Sequence, residues 1–395
     1  MKIFQHIFSS VEYGLFPDQG RGFQTVAASP ELSREELRVL EENSYYSLSR
    51  EKLDAGNFPI KETFFALPND RLALGRTTYI GVDALGRDGN YLTHHLIFDR
   101  ADFSAGVSVF AILEALPFAG SNTDLTPREI AAVDLQVTNS PLPEFDNINA
   151  DVLALLTASA IDRGTKSLLL IGESTETRKL IKAMHSAISA TEALELTFST
   201  RYDESVSPKT FAITAAETLT EATAARNDFV TVDLMNASTP PIPIVSAYAT
   251  LLLEAIKSRN SDSITALNQA FDLLRKGQNI SLLDSLKQSP QTMSVLWERT
   301  GDAVLTELLG KPELIAAMMQ SISTAPQSFA DALMKTASPS KLCGQTSPEK
   351  ADEFISMLKS KASSKSWSEW TKRWPNDPLL NNKQKQGWLK KLLGG

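Results

Sequence analysis

The spacing of apolar residues changes twice along this 395-residue chain, and the two changes divide it into regions of different architecture. Over residues 1 to about 115, short apolar runs are punctuated by Gly, Pro, Asn and Asp, the signature of strands and turns. Ile3–Phe8 and Phe23–Ala27 flank the turn-rich stretch Gly14–Gly22. Further strands are predicted at Thr63–Leu67, Leu72–Val82 and Tyr91–Phe98, with Gly86-Arg87-Asp88-Gly89-Asn90 as the turn between the last two. One helix is predicted to open at Ser29-Pro30. Its apolar positions Leu32, Leu37 and Leu40 have helical spacing, and its acidic first turn suits the helix dipole.

From about 120 to 240 the pattern becomes an alternation of helices and buried strands. Ala150–Ala160 reads as a helix, Ser167–Gly172 as a strand and Glu173–Ile188 as an amphipathic helix. They are followed by strands at Leu194–Ser199 and Phe211–Thr214, a helix at Ala216–Ala225 and a strand at Phe229–Leu234. Such alternation predicts an α/β layer with a largely parallel sheet. Pro240-Pro241-Ile242-Pro243 cannot continue a helix and marks a boundary. Beyond it the pattern is helical. Segments are predicted at Tyr248–Ser258, Ser263–Lys276, Ser281–Lys287, Thr292–Leu309, Pro312–Ser323 and Ser328–Thr336, without a fixed repeat. A linker at Ser338-Pro339-Ser340 then leads to a helix at Glu349–Lys361 and a tail rich in Lys, Ser, Asn and Trp. The expected fold class is an α+β and α/β N-terminal half followed by an all-α C-terminal half. Its parts are a β-rich α+β domain (1–118), an α/β domain (119–240), a helical domain (241–337) and a linker, helix and tail (338–395).

Composition narrows the classes. With 42% hydrophobic and 22% charged residues the chain can bury packed cores. The single cysteine, Cys343, excludes an internal disulfide framework. Zinc-site spacing is absent, a pattern of cytosolic cysteine use. The N-terminus has no unbroken apolar run of signal-peptide type and no window approaches about 18 apolar residues, so the expectation is a cytoplasmic protein without stable membrane insertion. The net charge of −8 argues against nucleic acid as the main ligand, because such binding draws on Lys and Arg. Residues 341–395 nevertheless carry 11 basic and 5 acidic side chains, a balance of +6, which leaves −14 for residues 1–340.

Candidate chemistry is sparse. Gly172-Glu173-Ser174-Thr175-Glu176-Thr177-Arg178-Lys179 follows a strand and opens a helix, yet lacks the second glycine and the Gly-Lys-Ser/Thr ending of a phosphate loop. An ordinary helix capped by Ser174 or Thr175 is expected there, with a degenerate nucleotide sensor as the rival. Asp83, Arg87, Asp88, Asn90, His94, His95 and Asp99 form the densest polar group. Adjacent strand residues face opposite ways, so His94 and His95 cannot share a metal. One of them could serve as a general base beside a carboxylate, against a structural reading in which Asp83 pairs with Arg87 in a turn. Cys343 has no neighbouring His to activate it. In the tail, Trp367, Trp370 and Trp374 align on one helical face beside Lys372 and Arg373, and Trp388 begins a second apolar and basic patch. These residues are candidates for docking on the chain's own body, on a partner groove or on a membrane surface.

Gly20-Arg21-Gly22-Phe23-Gln24, Ala28-Ser29-Pro30, Gly81-Val82-Asp83, Gly86-Arg87-Asp88-Gly89-Asn90 and Thr93-His94-His95-Leu96 together resemble the amino-terminal domain of the bacterial GTPase-associated adaptor family. Leu169-Leu170-Ile171-Gly172 and Thr197-Phe198-Ser199-Thr200 extend the likeness to about residue 235. The resemblance implies a non-enzymatic adaptor or regulatory subunit, without cofactor or metal, coupled to a GTPase or other NTPase in bacterial conflict, anti-phage defence or signalling. It maps the family's polar turn onto Asp83, Arg87, Asn90 and His94. The alternative is an enzyme that uses the Asp83–Asp99 cluster with a histidine base.

Overall fold

The computed structural model describes residues 1–17, 20–48, 50–83, 85–103, 108–135, 148–164, 166–202, 210–218, 229–234, 244, 247–261, 263–265, 267–268, 322, 327–343 and 347–380. They fall into two units, Met1–Ile244 and Val245–Gly395.

Strand β1 (Lys2–Val11) sets the plan of the first unit, because Ile3, Phe4, Ile7, Phe8 and Val11 place apolar groups on both of its faces and both must be covered. With β2 (Gly22–Ala28), β3 (Lys61–Leu67), β4 (Arg71–Val82) and β5 (Asp88–Asp99) it forms an antiparallel array in the order β3-β4-β5-β1-β2. On one face Phe4, Phe65, Ala73 and Ile97 pack with Leu32, Leu37 and Leu40 of the segment carrying helix α1 (Arg34–Glu42). On the other, Ile7, Val11, Val26 and Leu92 meet Leu125 and Ile130. The short strands β6 (Arg128–Glu129) and β7 (Val133–Asp134) join β2 and β1.

Helix α1 starts four residues after the expected Ser29-Pro30. Ser33 and Glu36 form a reciprocal capping box, in which Ser33 Oγ accepts from the Glu36 N–H and the Glu36 carboxylate accepts from the Ser33 N–H. Ser29 Oγ is engaged elsewhere, accepting from the Gln5 N–H at 2.9 Å. Helices α2 (Arg50–Asp54) and α3 (Val109–Ala115) lie in the connections that follow β2 and β5.

The second part of this unit alternates as the apolar pattern predicts: α4 (Ala150–Ile161), β8 (Ser167–Ile171), α5 (Ser174–Ala187), α6 (Ala190–Glu195), β9 (Phe198–Ser199), β10 (Ile213–Ala216) and β11 (Phe229–Asp233). β10 is parallel to β8 and β9, and β11 is parallel to β8. β9 then pairs antiparallel with β3, Phe64 opposite Phe198. A mixed sheet of eleven strands among the described residues therefore runs β11-β8-β10-β9-β3-β4-β5-β1-β2-β6, with β7 beside β1. Residues from both 1–118 and 119–240 share it.

Three boundaries differ from expectation. Leu194 belongs to α6, because Ser189 accepts from the Glu192 N–H and starts a helix there, which leaves only Phe198–Ser199 for the strand. Ala216 ends β10 in place of opening a helix, while most of the expected 216–225 helix lies outside the described residues. β5 begins at Asp88, and Gly86 and Gly89 at φ +78° and +108° absorb the irregular pairing in the turn expected there.

The second unit is helical where it is described. It comprises α7 (Ala247–Lys257), α8 (Gln327–Thr336), α9 (Pro339–Cys343), α10 (Pro348–Lys361) and α11 (Ser364–Arg373). The helices expected at Ser281–Lys287 and Thr292–Leu309 lie outside the described residues, as do most of Ser263–Lys276 and Pro312–Ser323. The segment read as a linker at 338–340 enters helix α9, whose Leu342 and Cys343 are buried with Phe329, Leu333, Phe354, Leu358 and Trp370. Asp377 fastens it by accepting from the Ser340 N–H and Oγ at 3.1 and 2.7 Å. Trp370 is 1% exposed and donates its indole N–H to the Ala337 carbonyl at 2.8 Å. Truncation of a buried aromatic costs about 3–5 kcal/mol. Trp370→Ala is therefore expected to move the urea midpoint of this unit, read by tryptophan fluorescence, far more than Trp374→Ala.

Candidate functional site

The β4–β5 hairpin collects three of the four residues mapped to the polar turn. Asp83 folds back over the tip, where its carboxylate accepts from the Leu85 N–H at 2.8 Å, the Arg87 N–H at 2.9 Å and Arg87 Nε at 2.8 Å. The backbone N–H of Arg87, then its guanidinium, hold the Asp83 carboxyl below the usual carboxylate range. Asn90 sits at the hairpin base, 4% exposed, and ties it to β1. Its Oδ1 accepts from Ser9 Oγ at 3.3 Å and the Ser10 N–H at 3.2 Å, and its Nδ2 donates to the Val82 carbonyl at 3.3 Å. Tyr13, Val82 and Leu85 stand 70%, 55% and 49% exposed around this tip. An open depression of about 410 Å³ runs between Tyr13, Val82, Asp83 and Leu125.

The fourth residue, His94, is buried. Its Nδ1 accepts from the Ala119 N–H at 3.0 Å and its ring meets Phe118 edge-on. Burial pushes its pKa down to about 4. His95, on the opposite face, stacks on His6 of β1 with 3.1 Å between their Nδ1 atoms. The enzyme alternative needs a histidine within reach of a substrate, and neither ring is accessible.

The His6–His95 pair belongs to a buried polar line that sequence reading missed. Thr25 Oγ1 lies 2.6 Å from Glu41 Oε1 and 2.9 Å from His6 Nε2. A carboxylate only accepts, so the network assigns Thr25 as donor to Glu41, His6 Nε2–H as donor to Thr25 and His95 Nδ1–H as donor to His6 Nδ1. Both rings are neutral: burial pushes His6 down to about 3 and holds His95 well below the usual histidine range. Gly75 makes room for them, since a Cβ there would stand 2.7 Å from the His95 ring and 2.5 Å from Thr63 Oγ1.

The tryptophan cluster divides: Trp367 and Trp370 stay together, their ring centroids 5.6 Å apart, and Trp374 is set off from the core. Trp370 is buried in the second unit, Trp367 is partly buried with Lys359 over its ring at 5.5 Å, and Trp374, the C-cap of α11, is 38% exposed. Arg373 donates to the Lys335 carbonyl at 2.7 Å, and Lys372 lies beside it in the last turn of α11. Trp388 lies outside the described residues.

A cleft of about 280 Å³ opens at the carboxyl ends of β8, β10 and β9, lined by residues that include Lys52, Ile60, Gly172, Ser174, Thr177, Arg201, Tyr202 and Glu217. The chain leaves β8 toward β9, which lies beyond β10, and leaves β10 toward β11, which lies beyond β8, so the two connections depart in opposite directions. In open α/β sheets this arrangement parts adjacent loops and creates a binding crevice. Helix α5 begins at its rim with Glu173 as N-cap and no side-chain cap. The expected Ser174 or Thr175 cap is not formed, because Thr175 Oγ1 donates to the Glu173 carboxylate. Lys52 pairs with Glu217 across the cleft. Arg201 donates to the Ser47 carbonyl at 3.0 Å, and its guanidinium lies 5.2 Å from the Tyr46 ring centroid. The residues on the α5 side were visible in sequence as a broken phosphate loop. Lys52, Arg201 and Glu217 were not, since only the β3–β9 pairing brings their segments to this place.

Among the described residues no group of His, Cys, Asp and Glu is arranged to hold a metal, and no helix is long and apolar enough to cross a membrane. No curated protein and no solved structure matches the chain. Residues 2–135, the first third of the chain and the part containing β1–β5, the hairpin and the buried histidine line, match the family model described as GTPase-associated protein 1, N-terminal domain type 2, which supports for this segment the resemblance carried by the sequence.

Proposed function

We propose that the chain is a non-catalytic adaptor or regulatory subunit that holds a GTPase, or a related NTPase, in a cytoplasmic bacterial complex concerned with conflict, defence or signalling. The observation that carries this reading is the match of residues 2–135 to a domain described by its GTPase association. Within that segment the β4–β5 hairpin is the best docking face. Asp83 and Arg87 stiffen its tip, and Tyr13, Val82 and Leu85 surround it with exposed apolar surface, the combination of rigid anchor and desolvatable side chains that carries interface energy. Among the described residues of the second unit Trp374 is the exposed large aromatic that a partner could reach, beside Lys372 and Arg373.

The test is co-purification with a candidate GTPase or related NTPase co-expressed with this chain. Val82→Asp with Leu85→Asp is expected to weaken capture by about 30-fold, the effect of losing one hot spot of about 2 kcal/mol, while circular dichroism stays unchanged. Trp374→Ala tests the second unit. Truncation at Ser340 does not, because it would remove Phe354, Leu358 and Trp370 from the helical core. Capture of the GTPase unaffected by all three substitutions would reject both faces.

A further inference from the structure

The mixed sheet of the first unit has two ends, and they are finished differently. At one end β2 is covered by the two-residue strand β6, which carries the charged pair Arg128 and Glu129, and elsewhere along β2 the Thr25 carbonyl accepts from the Leu15 N–H at 2.8 Å. Short, charged or loop-covered edges of this kind stop further strands from adding. At the other end stands β11, which among the described residues pairs with β8 alone. Its sequence Phe229-Val230-Thr231-Val232-Asp233 contains no Pro, Gly or Lys, and its pairing with β8 runs without a register shift. The devices that usually blunt an edge strand are missing from it. Leu234 donates its N–H to the Ile171 carbonyl of β8 at 2.9 Å, so alternation along the strand turns the backbone groups of Val230 and Val232 toward β8 and those of Phe229 and Thr231 outward. Among the described residues nothing meets the outward N–H and C=O of Thr231, strong hydrogen-bonding groups at an open edge.

The strand is also symmetric about that residue, with Val230 and Val232 on either side of Thr231. A two-fold interface presents the same surface twice and must be complementary to itself. We infer that β11 is a self-association edge, at which two copies of the chain pair antiparallel about a two-fold axis through Thr231 and make their sheets continuous. This register sets Thr231 against Thr231 and Val230 against Val232, cross-strand pairs that a sheet favours, and places Asp233 opposite Phe229 so that no charge meets its like. The occupant is a second copy because the Val-Thr-Val symmetry serves a two-fold axis and gives an unrelated strand no advantage. Five residues a side form a small contact beside the roughly 1,600 Å² of a standard interface, so the dimer is reversible and concentration-dependent. β8, β10, β9 and β3 separate this edge from the β4–β5 hairpin. On the reading proposed above a dimer would offer a partner two hairpins, whereas self-association does not rest on that reading and is measured on the chain alone.

Sedimentation equilibrium of the full-length chain over a series of concentrations is expected to show a monomer–dimer equilibrium. Thr231→Pro removes the outward N–H and keeps the bonds to β8, so it should weaken the dimer by about tenfold or more while circular dichroism stays unchanged. Thr231→Lys leaves the backbone intact and brings two ammonium groups together at the axis; it should weaken the dimer by about tenfold or more and stands in for the proline variant if that one misfolds. Thr231→Cys is expected to give a disulfide-linked dimer on oxidation, because residues opposite one another in an antiparallel pair lie within about 6 Å, and the chain's own Cys343 is buried. A chain that stays monomeric at every concentration, a dimer of full strength in the folded Thr231→Lys variant, or a dimeric Thr231→Cys variant that does not cross-link would each overturn the inference.

Discussion

Acidification from pH 7 to pH 5 is expected to unfold the sheet-bearing unit while leaving the helical unit folded. The chain has four histidines, His6, His94, His95 and His185, all in residues 1–244 and all buried. Burial lowers every one of them, His6 and His185 to about 3, His94 to about 4 and His95 well below the usual range. In the unfolded chain each returns to about 6.5. The unfolded state therefore binds more protons throughout the window from about 6.5 down to about 4, so stability is complete above that window and falls as pH drops through it. Each imidazole contributes up to about 1.4 kcal/mol per pH unit, and four together on the order of 5 kcal/mol per unit. Against a total of about 5–15 kcal/mol this is decisive within one or two units. Carboxylates held low by hydrogen bonds, such as Asp83 and Asp124, act in the same direction in a separate window below about pH 4. All five tryptophans lie after residue 296, in the second unit. The β-sheet circular dichroism signal should therefore be lost near pH 5 while tryptophan emission holds. Retention of the sheet signal down to pH 4 would show that these imidazoles take up protons without unfolding.

Glu62→Ala is expected to destabilise the first unit by about 3–5 kcal/mol, the cost of leaving buried charge uncompensated. The Glu62 side chain is 4% exposed and accepts from Arg76 Nη2 at 2.8 Å, Arg178 Nε at 2.6 Å and Arg178 Nη2 at 3.2 Å. Arg76 lies opposite it on β4, and Arg178 projects from α5, so a single carboxylate clamps the antiparallel half of the sheet to the helix of the parallel half. Removing it leaves two guanidinium groups, 24% and 32% exposed, without their shared anion, Arg178 retaining only the longer 3.8 Å contact to Glu114. Urea denaturation of Glu62→Ala and of the double variant Glu62→Ala/Arg178→Ala checks the argument. The double variant should recover part of the loss, because one of the two stranded cations is gone, and equal stability of single variant and wild type would refute the clamp.

The same residue explains why a fragment limited to residues 1–135 is expected to fold less stably than the unit. β3 would lose its partner β9, exposing Phe64 and a row of unpaired backbone groups at a new sheet edge. The match to a family domain ends at residue 135, but the hydrogen-bonded sheet does not.

Much of the fold was legible because short-range pattern determines it. Short apolar runs punctuated by Gly, Pro, Asn and Asp announced β1–β5, and the alternation of helices with buried strands after residue 148 announced the parallel strands, since a buried parallel strand needs a continuous apolar run. The start of α1 was also written in sequence, as Ser33-Arg34-Glu35-Glu36, a capping box that outranks Ser29-Pro30. The polar turn was recognisable from Asp83 to Asn90, because the bonds within it span fewer than ten residues, whereas the bonds of Asn90 to Ser9 and Ser10 of β1 were not. His94 was misplaced with it: strand alternation says which face a residue takes and is silent on what covers that face, here Phe118 and Ala119.

Sequence by itself determined the type and order of β1–β5, α1, α4, β8, α5, β10 and β11, the resemblance of the first third to a GTPase-associated domain, and the turns whose partners lie within a few residues. Only the tertiary structure decided that β9 joins β3 and makes one sheet of two patterns, that His6 meets His95 across 89 residues, that Trp370 belongs to a core, and that Lys52, Arg201 and Glu217 share a cleft with the α5 N-terminus. The division has a physical cause. Local hydrogen bonds and periodicity act over a turn or a strand, whereas non-local pairing is selected by which apolar faces must be covered together, and that is a property of the whole chain.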